Sequence, residues 1–262
     1  MNALLALALL ALPQTRETQQ DPAKARLESS RRHQEWIEIE RGERKLRVFA
    51  VYPETKGKVQ AVVVIHENKG LTDWARSVAD RLAEAGVVAL APDLLSGAGP
   101  EGGDTTSFAS TEAATKGIYA LDAAQVLADL DAVCDHAKKL DACNGKISVA
   151  GFCWGGGKSF EFATHRKDLA AAYVFYGPSP KDEAALAAIA CPVYGFYGEN
   201  DARITAGVEA TTAAMKKAGK TYEPVVYTGA GHGFFRSGEA DDSAEHAAWE
   251  EAWARWKKLL GG

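Results

Sequence analysis

The sequence predicts an α/β protein: a mostly parallel sheet with helices on both faces, and an antiparallel hairpin at its N-terminal end. Three observations carry this. VQAVVVIHE, Val59 to Glu67, is a continuous β-branched run of the kind found in strands buried on both faces. Comparable runs recur along the chain and alternate with segments of helical spacing, which is the order of a sheet built from strand–helix–strand units. The third is EWIEIERGERKLRVFAVYP, where apolar and polar residues alternate on either side of Arg41-Gly42-Glu43 as they do in a half-buried hairpin.

The elements follow in order. After the hairpin and the first long run comes LTDWARSVADRLAEAG, whose Trp74, Val78 and Leu82 recur at helical spacing before a closing Gly86. VVALAPD is the next strand. A Gly-rich loop leads to the helix LDAAQVLADLDAVCDHAKKL, then to the strand KISVAGF and another helix. AAYVFYG, a short helix, CPVYGFYG, a helix starting near Arg203, EPVVYTG and a last helix ending at Leu260 complete the pattern. In a parallel sheet of this kind the ligand site lies beyond the carboxyl ends of the strands. The residues that follow the runs are His66-Glu67-Asn68, Pro92-Asp93, Cys153, Tyr176-Gly177, Gly198 to Asp201, and Gly231-His232.

Composition narrows the class. With 262 residues, 47% hydrophobic and 25% charged, residues 33–262 are expected to form one domain around one core. A net charge of -5 with scattered lysines and arginines gives no field for nucleic acid. The Ala/Leu run from Ala3 to Leu12 is too short to span a bilayer but has the length of a signal core, with small residues at Ala6, Ala8 and Ala11 for cleavage. Residues 1–20 are therefore expected to be a signal peptide that exports the chain, and residues 21–32 a polar leader. In an exported chain Cys134 and Cys143, at either side of a helix end, are a candidate disulfide. A monomer without stable membrane insertion is the expected state.

GFCWGGGKS, Gly151 to Ser159, admits two readings. A phosphate loop needs GxxxxGK[ST], and counting back from Gly157-Lys158-Ser159 puts Phe152 where its first glycine must stand. A nucleophile turn needs small residues two positions to either side of the reactive side chain, and Gly151-Phe152-Cys153-Trp154-Gly155 supplies them. A thiol nucleophile also needs a base, and the base needs a group to fix its tautomer. Asp201 and His232 follow at the next strand ends in the order nucleophile, acid, histidine. The backbone N–H of Trp154 is placed to hold an oxyanion, with a second donor from the loop after the first long strand. After His66 the next histidine is His136, so no HExxH spacing exists. Neither a metal nor a cofactor is expected.

VIHENKGL, VALAPDLLSG, GFCWGG, YGENDARI and GAGHGFFR, in this order between about Trp36 and Leu260, resemble the dienelactone hydrolase family, the carboxymethylenebutenolidases. The resemblance implies an α/β-hydrolase fold and hydrolysis of an ester or lactone. It implies Cys153 as nucleophile, His232 as base, Asp201 as its partner and Glu67 as a carboxylate touching the resting thiol. It also puts the second oxyanion donor at Asn68. Members acting on dienelactone carry an arginine where this chain has Gly97, whereas Arg236 remains as a candidate for binding a substrate carboxylate. A broader small-ester or thioester hydrolase is the alternative within the class, and a non-catalytic binding protein on the same fold the alternative outside it.

Overall fold

The computed structural model describes residues 21–261, so the apolar run and the signal peptide expected at residues 1–20 lie outside the described residues. Eight strands form one sheet: β1 Gln34–Arg41, β2 Arg44–Val51, β3 Val59–Ile65, β4 Val88–Pro92, β5 Cys143–Phe152, β6 Ala172–Phe175, β7 Val193–Gly198 and β8 Tyr222–Tyr227. Their order is β1-β2-β4-β3-β5-β6-β7-β8. β1 and β2 join the sheet antiparallel, and all pairs from β4 onward are parallel. The hairpin turns as expected: Arg41 pairs with Arg44, and Gly42 takes a φ of 63° that the tight turn demands.

The helices are α1 Pro22–Ser29, α2 Asp73–Glu84, α3 Thr111–Ala120, α4 Ala123–Lys139, α5 Trp154–His165, α6 Glu183–Ala187, α7 Ala202–Thr205, α8 Val208–Lys217, α9 Phe234–Ser237 and α10 His246–Leu260. They cover both faces of the sheet. Strand side chains alternate between the faces, so Val62 and Val64 pack with Trp74 and Trp256 on one side while Val63 and Ile65 pack with Leu130 and Phe160 on the other. This is why the run of β3 is apolar without interruption.

Under the carboxyl ends of the central strands, Phe152, Phe175 and Phe196 sit in register on β5, β6 and β7. Their rings stack with centroids 4.6 and 4.2 Å apart, and Trp256 of α10 closes over them. Phe175 is fully buried. Replacing Phe175 with alanine is therefore expected to cost about 3–5 kcal/mol, read from the urea midpoint. A loss below about 1 kcal/mol would mean that this stack does not hold the strand ends.

The polar leader carries an element of its own: residues 22–29 form α1, which docks on α2. The contact is ionic: the Asp80 carboxylate, fully buried, accepts from Arg32 Nε at 2.9 Å and Nη2 at 2.7 Å, and pairs with Arg26 Nε at 3.0 Å. The stretch after Asp93, expected to be a Gly-rich loop, contains α3, capped by Ser110 and packed through Ile118 against Leu95 and Trp154. Cys134 and Cys143 are separate buried thiols, not a disulfide. Burial pushes the Cys134 thiol up to about 12, and both side chains are buried in the core as small apolar groups.

Candidate active site

Cys153 stands between β5 and α5 with φ 56° and ψ -115°, a backbone region that a residue with a Cβ enters only under constraint. The glycines around it explain how. A Cβ on Gly151 would lie 1.9 Å from the Gly155 carbonyl oxygen, and one on Gly155 would lie 2.4 Å from that of His66. The turn closes only because both are absent, and the thiol is left partly exposed at the helix N-terminus.

Two further strand ends bring His232 and Asp201 to it. His232 Nε2 lies 3.1 Å from Cys153 Sγ, and His232 Nδ1 lies 2.5 Å from Asp201 Oδ2. Asp201 occupies the N-cap position of α7 but makes no side-chain cap hydrogen bond, so its buried carboxylate is given to the imidazole. Side chains that sequence reasoning passed over lock the two loops together. Asn200 Nδ2 donates to the Gly229 carbonyl at 2.9 Å, Glu199 accepts from the Gly229 N–H at 2.9 Å, and Glu245 accepts from the Gly231 N–H at 2.6 Å.

The hydrogen bond to Cys153, reinforced by Asp201 and opposed by burial, raises His232 from 6.5 to about 9. The folded chain therefore binds more protons than the unfolded one between these values, and stability must fall as pH rises through the window. The gap in unfolding temperature between the native chain and His232→Gln is expected to be largest below about pH 6.5 and to shrink towards about pH 9. A gap that widens with pH would contradict the assignment.

Glu67, buried just after β3, accepts from Arg236 Nε at 3.0 Å through Oε2 and from the Tyr176 hydroxyl at 3.4 Å through Oε1. Burial holds the Tyr176 phenol well above its usual range, which keeps it a donor. His66, to which the sequence assigned no role, is a brace. Its Nδ1 is 2.7 Å from the Glu67 carbonyl oxygen, its Nε2 accepts from the Leu94 N–H at 3.3 Å, and its ring stacks on Trp154 at 5.8 Å. Burial lowers its affinity for a proton, consistent with a neutral ring that donates on one side and accepts on the other. Among the described residues, the backbone N–H groups of Trp154 and Asn68 have no hydrogen-bond acceptor.

Cys153 and His232 open onto a cavity of about 760 Å³. No group of His, Cys, Asp and Glu among the described residues has a metal-holding arrangement, and no described helix is long and apolar enough to cross a membrane.

The model of the dienelactone hydrolase family matches residues 46–262. The chain belongs to the dienelactone hydrolase family. It is 32% identical over 223 residues to a protein of Escherichia coli K12 provisionally named a carboxymethylenebutenolidase, with 80% of each chain covered. A relative of the same provisional name from Saccharolobus solfataricus is 31% identical over 252 residues, covering 82% of this chain and 93% of that one. Among solved structures, a provisionally named dienelactone hydrolase of Klebsiella pneumoniae superposes with a TM-score of 0.77 at 27% identity, covering 88% of this chain and 99% of that one. An acylaminoacyl peptidase of Pyrococcus horikoshii shares the fold alone, with a TM-score of 0.67 at 13% identity over 90% of this chain and 42% of that one. The fold is that of the α/β-hydrolases, and the chain is a hydrolase of the carboxymethylenebutenolidase type.

Some positions expected from the dienelactone hydrolase family sit differently from the simplest reading. Glu67 has its hydrogen bonds with Arg236 and Tyr176, while the thiol has its own with His232. Arg236 does not line the cavity of Cys153. It lines a smaller one of about 410 Å³ with Trp74, Arg26 and Arg81. Gly97 takes φ 73°, and a Cβ there would meet Arg44 Nη1 at 3.5 Å. Arg44 is itself anchored by the buried Asp129 at 2.9 Å, so a guanidinium from β2 approaches Gly97, the position at which the resemblance implies an arginine in other members.

Proposed function

We propose that the chain hydrolyses an ester or lactone through an acyl-cysteine intermediate. His232 Nε2 takes the proton of the Cys153 thiol, and the sulfur forms a bond to the substrate carbonyl carbon. The carbonyl oxygen becomes an oxyanion, held by the N–H groups of Trp154 and Asn68 at a helix N-terminus whose dipole favours negative charge. As the oxyanion collapses, the ester C–O bond breaks and the leaving oxygen takes the proton from His232. Water then gives a proton to His232 and attacks the thioester, and the returning proton restores the thiol. Asp201 holds the imidazole tautomer and stabilises its cation throughout.

The observation that carries this reading is the hydrogen-bonded series from Cys153 to His232 to Asp201 at a strained turn. Glu67 and Arg236 form a charged pair beside the series and fix the neighbouring Tyr176, whose ring packs at 5.2 Å against that of His232. Rapid mixing with an activated aryl ester tests the reading. A burst of aryl alcohol equal to the enzyme concentration is expected before the slower steady rate if deacylation limits turnover. Absence of any turnover of aryl esters and lactones would refute it.

A further inference from the structure

The two N–H groups that face the oxyanion in the reading above come from different loops, and they are held by different means. That of Trp154 is fixed by the nucleophile turn, packed so closely that a Cβ on Gly155 would lie 2.4 Å from the His66 carbonyl oxygen. Asn68 lies on the turn after β3, residues 67–71, whose own hydrogen bond is long: the Gly70 N–H donates to the Glu67 carbonyl at 3.4 Å. A turn so weakly closed depends on support from outside.

Thr105 supplies that support from 34 residues along the chain. Its Oγ1 accepts from the Leu71 N–H at 2.9 Å and donates to Asp93 Oδ1 at 2.7 Å, while its own N–H donates to Asp93 Oδ2 at 3.0 Å. Leu71 is buried, so without this hydroxyl its N–H would be left unpaired. Asp93, buried just after β4, also accepts from the Leu95 N–H at 3.0 Å, and its N–H donates to the Arg47 carbonyl of β2 at 2.8 Å. The hydroxyl is thus a single post between the sheet and the turn. A Cβ on Gly70 would lie 2.3 Å from Thr105 Oγ1, and Gly70 takes φ 80°, so only glycine lets the post come this close.

Neither Thr105 nor Asp93 lines the cavity of Cys153. A buried carboxylate that gives both oxygens to one residue, whose hydroxyl in turn holds the backbone three residues beyond Asn68, orients a neighbouring group rather than binding a substrate.

We propose that Thr105, held by Asp93, is the positioning residue of the Asn68 oxyanion donor. It fixes the turn 67–71 so that the Asn68 N–H stays aimed at the substrate oxygen as charge develops there. This inference rests on the acyl-cysteine reading above.

The test uses the full chain with Thr105→Val, which keeps the shape and removes the hydroxyl, Thr105→Ala as a second truncation, and Thr105→Ser, which keeps the hydroxyl. Three quantities are measured: kcat/KM for a neutral activated aryl ester, the inhibition constant of an aryl trifluoromethyl ketone, and the rate at which iodoacetamide alkylates Cys153. The ketone carbonyl carbon bonds to the sulfur and its oxygen becomes an oxyanion, whereas alkylation displaces iodide and forms none. Both truncations are expected to lower kcat/KM about ten- to a hundredfold and to weaken the ketone by a similar factor. This is less than the full loss of an oxyanion donor, because the Asn68 N–H is displaced and not removed. Alkylation should keep its native rate, since the hydrogen bonds from Cys153 to His232 and from His232 to Asp201 are untouched. Thr105→Ser should restore most of the ester and ketone values. A fall in alkylation parallel to the fall in turnover, or a serine variant as impaired as valine, would overturn the assignment. An active native chain matched by Thr105→Val on ester and ketone overturns the assignment alone. A native chain that hydrolyses no ester and binds no ketone overturns the acyl-cysteine reading and the assignment together.

Discussion

Cys153→Ala is expected to lower kcat/KM for an activated aryl ester by at least about three orders of magnitude, because the proposed nucleophile is removed. The fold should survive. Cys153 is partly exposed, and its strained backbone is imposed by the close packing of Gly151 and Gly155 rather than by the sulfur. The stability change should therefore stay within about 1 kcal/mol. Cys153→Ser keeps a nucleophile of similar size but asks His232 to activate a hydroxyl. An imidazole raised to about 9 by its thiol and carboxylate partners is tuned to that pair, so the serine variant should be much slower than the native chain. Near-native rates in the alanine variant would remove the thiol from the reaction.

Asp201→Asn should have the next largest effect, a fall of roughly three to four orders of magnitude in kcat. Asp201 Oδ2 accepts from His232 Nδ1, which directs Nε2 at the sulfur. An amide can present its N–H₂ to Nδ1 and so favour the opposite tautomer, leaving Nε2 protonated and unable to take the thiol proton. Because the Asp201 side chain makes no cap hydrogen bond to α7, the loss cannot be attributed to an uncapped helix. Steady-state rates together with the unfolding temperature distinguish the two. A loss of rate matched by a collapse in stability would point to a structural role instead.

The sheet was legible because burial on two faces leaves a simple record: β3, β4 and β5 read as apolar runs, and the hairpin as an alternation about Gly42. The candidate site was legible for a related reason. Its residues Cys153, Asp201 and His232 follow β5, β7 and β8, each within five residues of a strand's end. What escaped depends on pairings across the fold. Asp80 reads as one acid in an amphipathic helix, and only the approach of Arg26 and Arg32 shows why it is buried. The residues of α3 were read together with the glycines before them as one loop, whereas its Gly117 admits the ring of Phe108, whose Cζ would be 2.8 Å from a Cβ there. Nothing in spacing tells that Glu67 meets Arg236, 169 residues away, or that His66 braces Trp154.

The most direct test of the acyl-cysteine account is covalent. The enzyme is mixed with an activated aryl ester, quenched in acid within the burst phase, and digested for peptide mapping by mass spectrometry. The account predicts that the peptide containing Cys153 gains the mass of the acyl group, that the adduct disappears as substrate is exhausted, and that Cys153→Ala shows none. Kinetically competent acylation at another residue, or native turnover with no Cys153 adduct under conditions where deacylation limits the rate, would contradict it.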